Sequence, residues 1–239
     1  MAKWIWNFCL LAGLLVVLGV AGVRFEFLPV AVGLLGAAGI SLLMLLLAVV
    51  ALLVILFKLL TRRSVPGRYW ATFLLGAAPT VLVLATVGPA GFQAPGIHDI
   101  TTDTENPPAF ELAAEDRDPG DHPVAYQGAV VAGIQKESYP RIQSLRTAAE
   151  PERALAAAES AMIDRGWRVL GVDRERMAVE AVVESAIFGF EDDVSIRVTP
   201  VNGGSRIDVR SASRVGQGDL GANAWRVKDL LADLGSRLP

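Results

Sequence analysis

Three adjacent acids, Glu191, Asp192 and Asp193, stand in the stretch FGFEDDVSIRV at residues 188–198, and His98 stands beside Asp99. These types could support hydrolysis, because general acid and base catalysis needs carboxylates or an imidazole held within reach of the reacting group. A membrane-tethered hydrolase using His98, Asp192 and Asp193 is therefore one reading. Neighbours in an extended chain, however, point to opposite faces, so Asp192 and Asp193 converge only across a sharp bend. Arg197, Arg206, Arg210 and Arg214 lie on the same or adjoining predicted strands and offer ionic partners to Asp192, Asp193 and Asp208. The acids are read as a solvated turn at a strand entry, with structural pairing, and no catalytic residue is expected.

A second cluster, RSASRVGQGD, combines Ser211, Ser213, Arg214, Gly216 and Gly218 just before a predicted helix start at Asp219. Free backbone N–H groups at a helix N-terminus favour an anion. Asp219 opposes this by satisfying the same N–H groups and repelling a phosphate, so a plain strand-to-helix corner is the competing reading. His98 and His122 are the only histidines and Cys9 the only cysteine. That supply falls short of the three or four converging ligands of a metal site, so neither metal nor cofactor is expected. His98 is otherwise a hydrogen-bonded or solvated loop histidine.

The elements that must position these residues begin near Tyr126. YQGAVVAGIQKES suits a short helix ended by Pro140, and RIQSLRTA alternates as a strand. A helix follows, with Thr147 and Glu150 at capping-box spacing, Pro151 in its first turn, a stripe of Leu155, Ala158, Met162 and Ile163, and a stop at Gly166. Strands are predicted over 167–172 and 177–188. In DDVSIRVTPV, Val194, Ile196 and Val198 face one side and Ser195, Arg197 and Thr199 the other. NGG at 202–204 signals a hairpin. The returning strand puts Ile207 and Val209 inward and Arg206, Asp208 and Arg210 on the polar face. A last helix carries Leu220, Ala224, Val227, Leu231, Leu234 and Leu238 at helical spacing, with Asp219 as its N-cap. The outline is a soluble α+β domain at 124–239, a mostly antiparallel sheet with helices on one face, helix-grip-like, with room for a groove between sheet and terminal helix. Residues 91–123, rich in Pro, Gly, Asp and Thr, read as an extended lead-in that wraps or tethers it.

Residues 1–90 differ in kind. Lys3, Arg24, Lys58, Arg62, Arg63 and Arg68 against Glu26 give +5, whereas residues 91–239 carry −8. Three uncharged apolar stretches, 4–23, 29–57 and 69–87, are each long enough to cross the hydrocarbon core as a helix. The first exceeds a signal-peptide core and is read as retained. KLLTRRSVPGR holds four of the six basic residues, which places that loop and the amino terminus in the cytoplasm and the acidic domain outside, the periplasm in a bacterium. Trp4, Trp6, Tyr69 and Trp70 fall at the cytoplasmic ends of the spans, at headgroup level. With no charge inside the spans, transport is not indicated. Gly33, Ala37 and Ser41 form a small-residue stripe, suited first to packing inside this three-helix anchor and second to a homodimer.

The segments IHDITTDTENPPAF, SYPRIQSL, FGFEDDVSIRV and IDVRSASRVGQGDLGANAWRV, in this order over about residues 97–239, resemble the bacterial family catalogued as domain of unknown function 1499. Some members carry a cysteine-containing segment at the start of the domain; this chain has none there. The resemblance implies a membrane-linked accessory domain and brings no activity. Together the readings describe an inner-membrane, multi-pass, noncatalytic envelope protein. Its bilayer-anchored domain would bind an envelope protein or an apolar ligand, and nucleic acid is not an expected partner.

Overall fold

Helices form wherever the first ninety residues can satisfy every backbone group internally, as hydrocarbon requires. In the computed structural model, which describes residues 2–238, these are α1 (Ala2–Arg24), α2 (Val30–Leu60) and α3 (Gly67–Phe92). Their apolar windows have mean hydropathies of 2.2, 3.3 and 1.8, long and apolar enough to span a membrane. α3 is interrupted at Gly88, whose φ of +64° and ψ of 170° only glycine tolerates easily, so the regular part ends at Val87 as its sequence predicts. The chain divides at this point. One unit holds the three helices up to Pro89, and the other runs from Ala90 onward apart from the loop Ala186–Gly189.

Within the helical unit, Cys9, Ala12 and Met44 share one cluster, and Ala51, Ile55 and Tyr69 another. Tyr69 therefore packs inside the bundle and is not a headgroup anchor, while Trp4 and Trp70 remain exposed. A Cβ on Gly33 would lie 2.0 Å from Val23 Cγ2, and Ala37 lies 4.0 Å from the Cβ position of Gly19. Gly33 and Ala37 thus serve α1–α2 packing, the first of the two uses expected of the stripe; Ser41 is half-buried.

The second unit is an open antiparallel sheet. Its strands are β1 (Asp99–Thr101), β2 (Leu145–Thr147), β3 (Arg168–Asp173), β4 (Ala178–Glu184), β5 (Glu191–Val201) and β6 (Gly204–Ser213). They run in the order β1-β6-β5-β4-β3, with β2 also paired to β6. The helices are α4 (Leu112–Asp116), α5 (Ala129–Ser138), α6 (Pro151–Asp164) and α7 (Ala222–Arg237). β5 and β6 form the hairpin expected at Asn202 and Gly203, with Ile196 opposite Val209 and Val198 opposite Ile207. These residues, with Val179, Ala181 and Val194, join Leu155, Ala158 and Met162 of α6 and Ala224, Val227, Leu230 and Leu234 of α7 in one core. The helix-grip outline is present, but the groove it suggests is filled by those side chains.

Local details differ from expectation where side chains found distant partners. Thr147 does not cap α6: its hydroxyl accepts the Ala149 N–H and donates to the Leu238 carbonyl, leaving Glu150 at the N-cap position and Pro151 as the first helical residue. Strand β2 shrinks to three residues. The N-cap position of α7 is Gly221, yet Asp219 still accepts the N–H groups of Gly221 and Asn223 at 2.8 and 2.7 Å. Leu220 is exposed and falls off the stripe, which Leu230 completes.

Candidate functional site

Many of the polar alternate positions of the strands are buried, while Arg197, Thr199 and Arg206 stay partly exposed. Glu180, Asp193, Ser195, Asp208, Arg210, Asp99 and Thr101 are all buried. The lead-in lies over them, so residues 91–123 are part of the fold and no mere tether. It contributes β1, and α4 packs against β3 and β4. Glu180 fixes α4 from beneath: its carboxylate accepts the backbone N–H groups of Glu111, Leu112 and Ala113 at 2.9, 3.3 and 2.9 Å. Gly171 on β3 makes room, since a Cβ there would lie 2.9 Å from Leu112 Cδ1. Arg210 spans Asp99 with two bonds of 3.0 and 2.7 Å, donates to the carbonyls of Pro108 and Val124, and stacks 4.4 Å over the Phe110 ring.

The acidic triplet is a strand and not a solvated turn. Glu191, Asp192 and Asp193 are the first three residues of β5, and Asp192 and Asp193 are buried. Asp192 shares the α7 side of the sheet and binds Arg226 Nη2 at 2.6 Å. Asp193 faces the lead-in, where Arg117 Nε (2.6 Å) and Arg214 Nη2 (2.7 Å) grip its two oxygens. Arg214 also holds Glu191 at 2.5 Å and Asp116 at 2.7 Å, and Arg168 holds Asp116 through two bonds of 2.9 Å. Three acids and three arginines thus form a neutral island. Hydrogen bonds from Arg168 and then Arg214 bring the Asp116 carboxyl down to about 2. Burial works against the Arg214 charge, but Asp193 and Asp116 hold its pKa above the ordinary arginine range. Asp208 pairs with Arg197 and Arg206, at 3.0 and 3.1 Å, as the sequence allows.

His98 is not brought to these carboxylates. Its ring stacks on His122, with centroids 4.2 Å apart and planes 14° from parallel, and its Nε2 lies 3.1 Å from Gln127 Nε2. Burial first, then the neighbouring His122, lowers its pKa. Among the described residues no hydrogen bond joins it to Asp192 or Asp193, so the hydrolase constellation is not assembled. The anion-site residues do come together, but around internal partners. Asn223 binds the Ser211 and Ser213 hydroxyls at 2.6 and 2.9 Å, Arg214 is occupied by three acids, and Gly218 packs on Gly96. The anion at this corner is supplied by the chain itself. No group of three or more His, Cys, Asp or Glu suited to a metal occurs among the described residues.

The covered face has an opening, a cavity of about 200 Å³. Ala178, Glu180, Ser195 and Arg197 make its floor, and residues between Asn106 and Leu112 make one wall. Ser195 Oγ is buried without a hydrogen-bond partner. The alternation puts Ser195 on the face opposite Val194 and Ile196 without saying what covers it, and Glu180 lies directly across from it on β4.

The family described as protein of unknown function, DUF1499, matches residues 99–234, from the first residue of β1 to within α7. The chain belongs to the DUF1499 family. Its match begins at Asp99, the partner of Arg210, so the lead-in from Asp99 onward falls inside the family's own bounds. No curated protein matches the chain.

Proposed function

We propose that this DUF1499 protein is a noncatalytic envelope accessory protein whose domain, held outside the cytoplasmic membrane by three spans, binds a partner or small ligand. The observation that supports this most is the splitting of Asp192 and Asp193 onto opposite faces of β5, each already neutralised by arginine. A hydrolytic acid or base needs a free, suitably tuned proton site, and these carboxylates are committed as acceptors. The outward orientation rests on the basic loop between α2 and α3, which contains Arg62 and Arg63.

Complementation of a deletion strain tests the noncatalytic reading once the deletion has a phenotype. Asp192→Asn is expected to restore it in full at normal protein level. So is the charge-balanced pair Asp193→Asn with Arg117→Gln, which removes the acid without stranding a cation. Abundant, folded and inactive Asp192→Asn protein would overturn the reading in favour of acid catalysis.

A further inference from the structure

We propose that the corner formed by Leu220, Trp225, Tyr139 and Lys228 docks in the headgroup layer of the membrane that this chain spans. Trp225 is 62% and Leu220 54% exposed, although Ala224 and Val227 of the same helix are buried in the core. Leu220 also holds a φ of +54°, a backbone conformation costly for a leucine. Large apolar side chains exposed together mark an interaction surface. The exposed Lys228 puts its Nζ 5.1 Å from the Tyr139 ring centroid and 5.5 Å from that of Trp225. Indole, phenol and ammonium are the set that the headgroup layer favours, because each joins an apolar body to a polar or charged tip.

The connectivity of the chain names the occupant. The regular part of α3 ends at Val87, and the second unit begins three residues on, at Ala90. Even fully extended, so short a stretch reaches only about 10 Å. The Gln93 N–H then donates to the Ala90 carbonyl and the Ala94 N–H to that of Gly91, which folds the chain back and keeps Ala94 near the membrane surface, just after the exposed Phe92. A Cβ on Gly221 would lie 3.4 Å from Ala94 Cβ, 3.5 Å from the Tyr139 hydroxyl and 3.7 Å from Trp225 Cδ1, so both aromatic side chains border the segment that the span holds at the bilayer. A surface tethered this closely meets lipid at a high effective concentration, an advantage that a dissolved partner lacks. The inference needs only insertion of the spans; it is independent of the side on which the domain lies and of the noncatalytic reading.

Full-length protein with Cys9→Ala, in nanodiscs of phosphatidylcholine and phosphatidylglycerol whose two faces are both open to solution, provides the test. Leu220→Cys and Trp225→Cys each carry an NBD fluorophore; both sites are exposed, and each label leaves the other apolar side chain in place. Ser236→Cys, exposed at the far end of α7, and Leu82→Cys, exposed on α3, are the controls. Lipid bearing a nitroxide at the fifth acyl carbon is expected to quench the labels at positions 220, 225 and 82 by about twofold or more and to leave that at 236 unchanged, with iodide doing the reverse. Iodide quenching at 220 and 225 equal to that at 236 would overturn the docking and leave the corner in water. Protection from both quenchers would also overturn it, meaning that protein covers the corner, a second copy if the protection disappears at one copy per disc. Lipid quenching at 82 without any at 220 or 225 would overturn the docking while upholding the spans, whereas its absence at all three positions would overturn insertion and the docking with it.

Discussion

Arg214 holds a single oxygen of Asp193 through both Nε and Nη2, at 3.1 and 2.7 Å, in a pair whose side chains are 5% and 0% exposed. Arg117 takes the other oxygen. Removing one member of such a buried pair strands charge in a medium that solvates it poorly. Asp193→Asn is expected to destabilise the domain by about 3 kcal/mol, well beyond the roughly 0–1 kcal/mol of an exposed pair. Glu191→Gln, at the more open edge of the island, is expected to cost less. Urea unfolding of both variants checks the order; equal small losses would mean that water reaches the island.

The core cluster of the second unit draws on no residue before Ile97. Residues 90–239 are expected to fold alone with one cooperative transition by circular dichroism. Residues 124–239 are not, because truncation removes β1, the Arg210 partner Asp99 and the chain over Glu180. A cooperative 124–239 fragment would show that the lead-in is dispensable.

Acid should weaken the fold in two windows. The His98 pKa is lowered on folding, so the unfolded chain binds the proton more readily; stability is full above about 6.5 and falls as the pH drops below it. His98→Gln should flatten that first window. Asp116 is lowered from 3.8 to about 2, so its contribution is present above about 3.8 and disappears as the pH falls through about 2. Denaturant midpoints measured from pH 8 to 3 for wild type and His98→Gln check the first window. Identical slopes would exclude the histidine pair as its source.

Membrane orientation can be read by labelling. In a Cys9→Ala background, cysteine introduced at exposed Ser236 should react with an impermeant maleimide in intact cells, and cysteine at exposed Ser64 only after permeabilisation. The reverse pattern would invert the proposed topology.

Packing of the spans depends on close approach at Gly76, where a Cβ would lie 2.6 Å from the Met44 carbonyl oxygen. Gly76→Val is expected to separate α3 from α2 and lower the amount of protein in the membrane, measured by blotting the membrane fraction. Normal abundance with native protease resistance would contradict that contact.

Much of the architecture was legible because it follows periodicity. The alternation of Val194, Ile196 and Val198 placed β5, the NGG turn placed its hairpin, and the same alternation sent Asp192 and Asp193 to opposite faces. What escaped was the second face of the sheet. Arg210, Asp208 and Glu180 look like solvated strand residues, and DITTDTENPPAF has no period, because the two are matched by ion pairs and backbone bonds between residues 67 to 111 apart in the chain. Such matching leaves no local trace. Ser195 was hidden by the same assumption, since a serine among outward polar residues raises no question until the face is covered.

The pairing of β1 and β2 with β6 has a consequence for assembly. Asp99 sits opposite Ala212 and Leu145 opposite Ile207, so both early strands are synthesised well before the strand that receives them. α4 likewise lacks its Glu180 support until β4 exists. Contacts between residues so distant are slow to form, because loop closure must precede any gain. During biosynthesis the lead-in therefore waits as an open chain, and closing it over the hairpin follows the synthesis of β6.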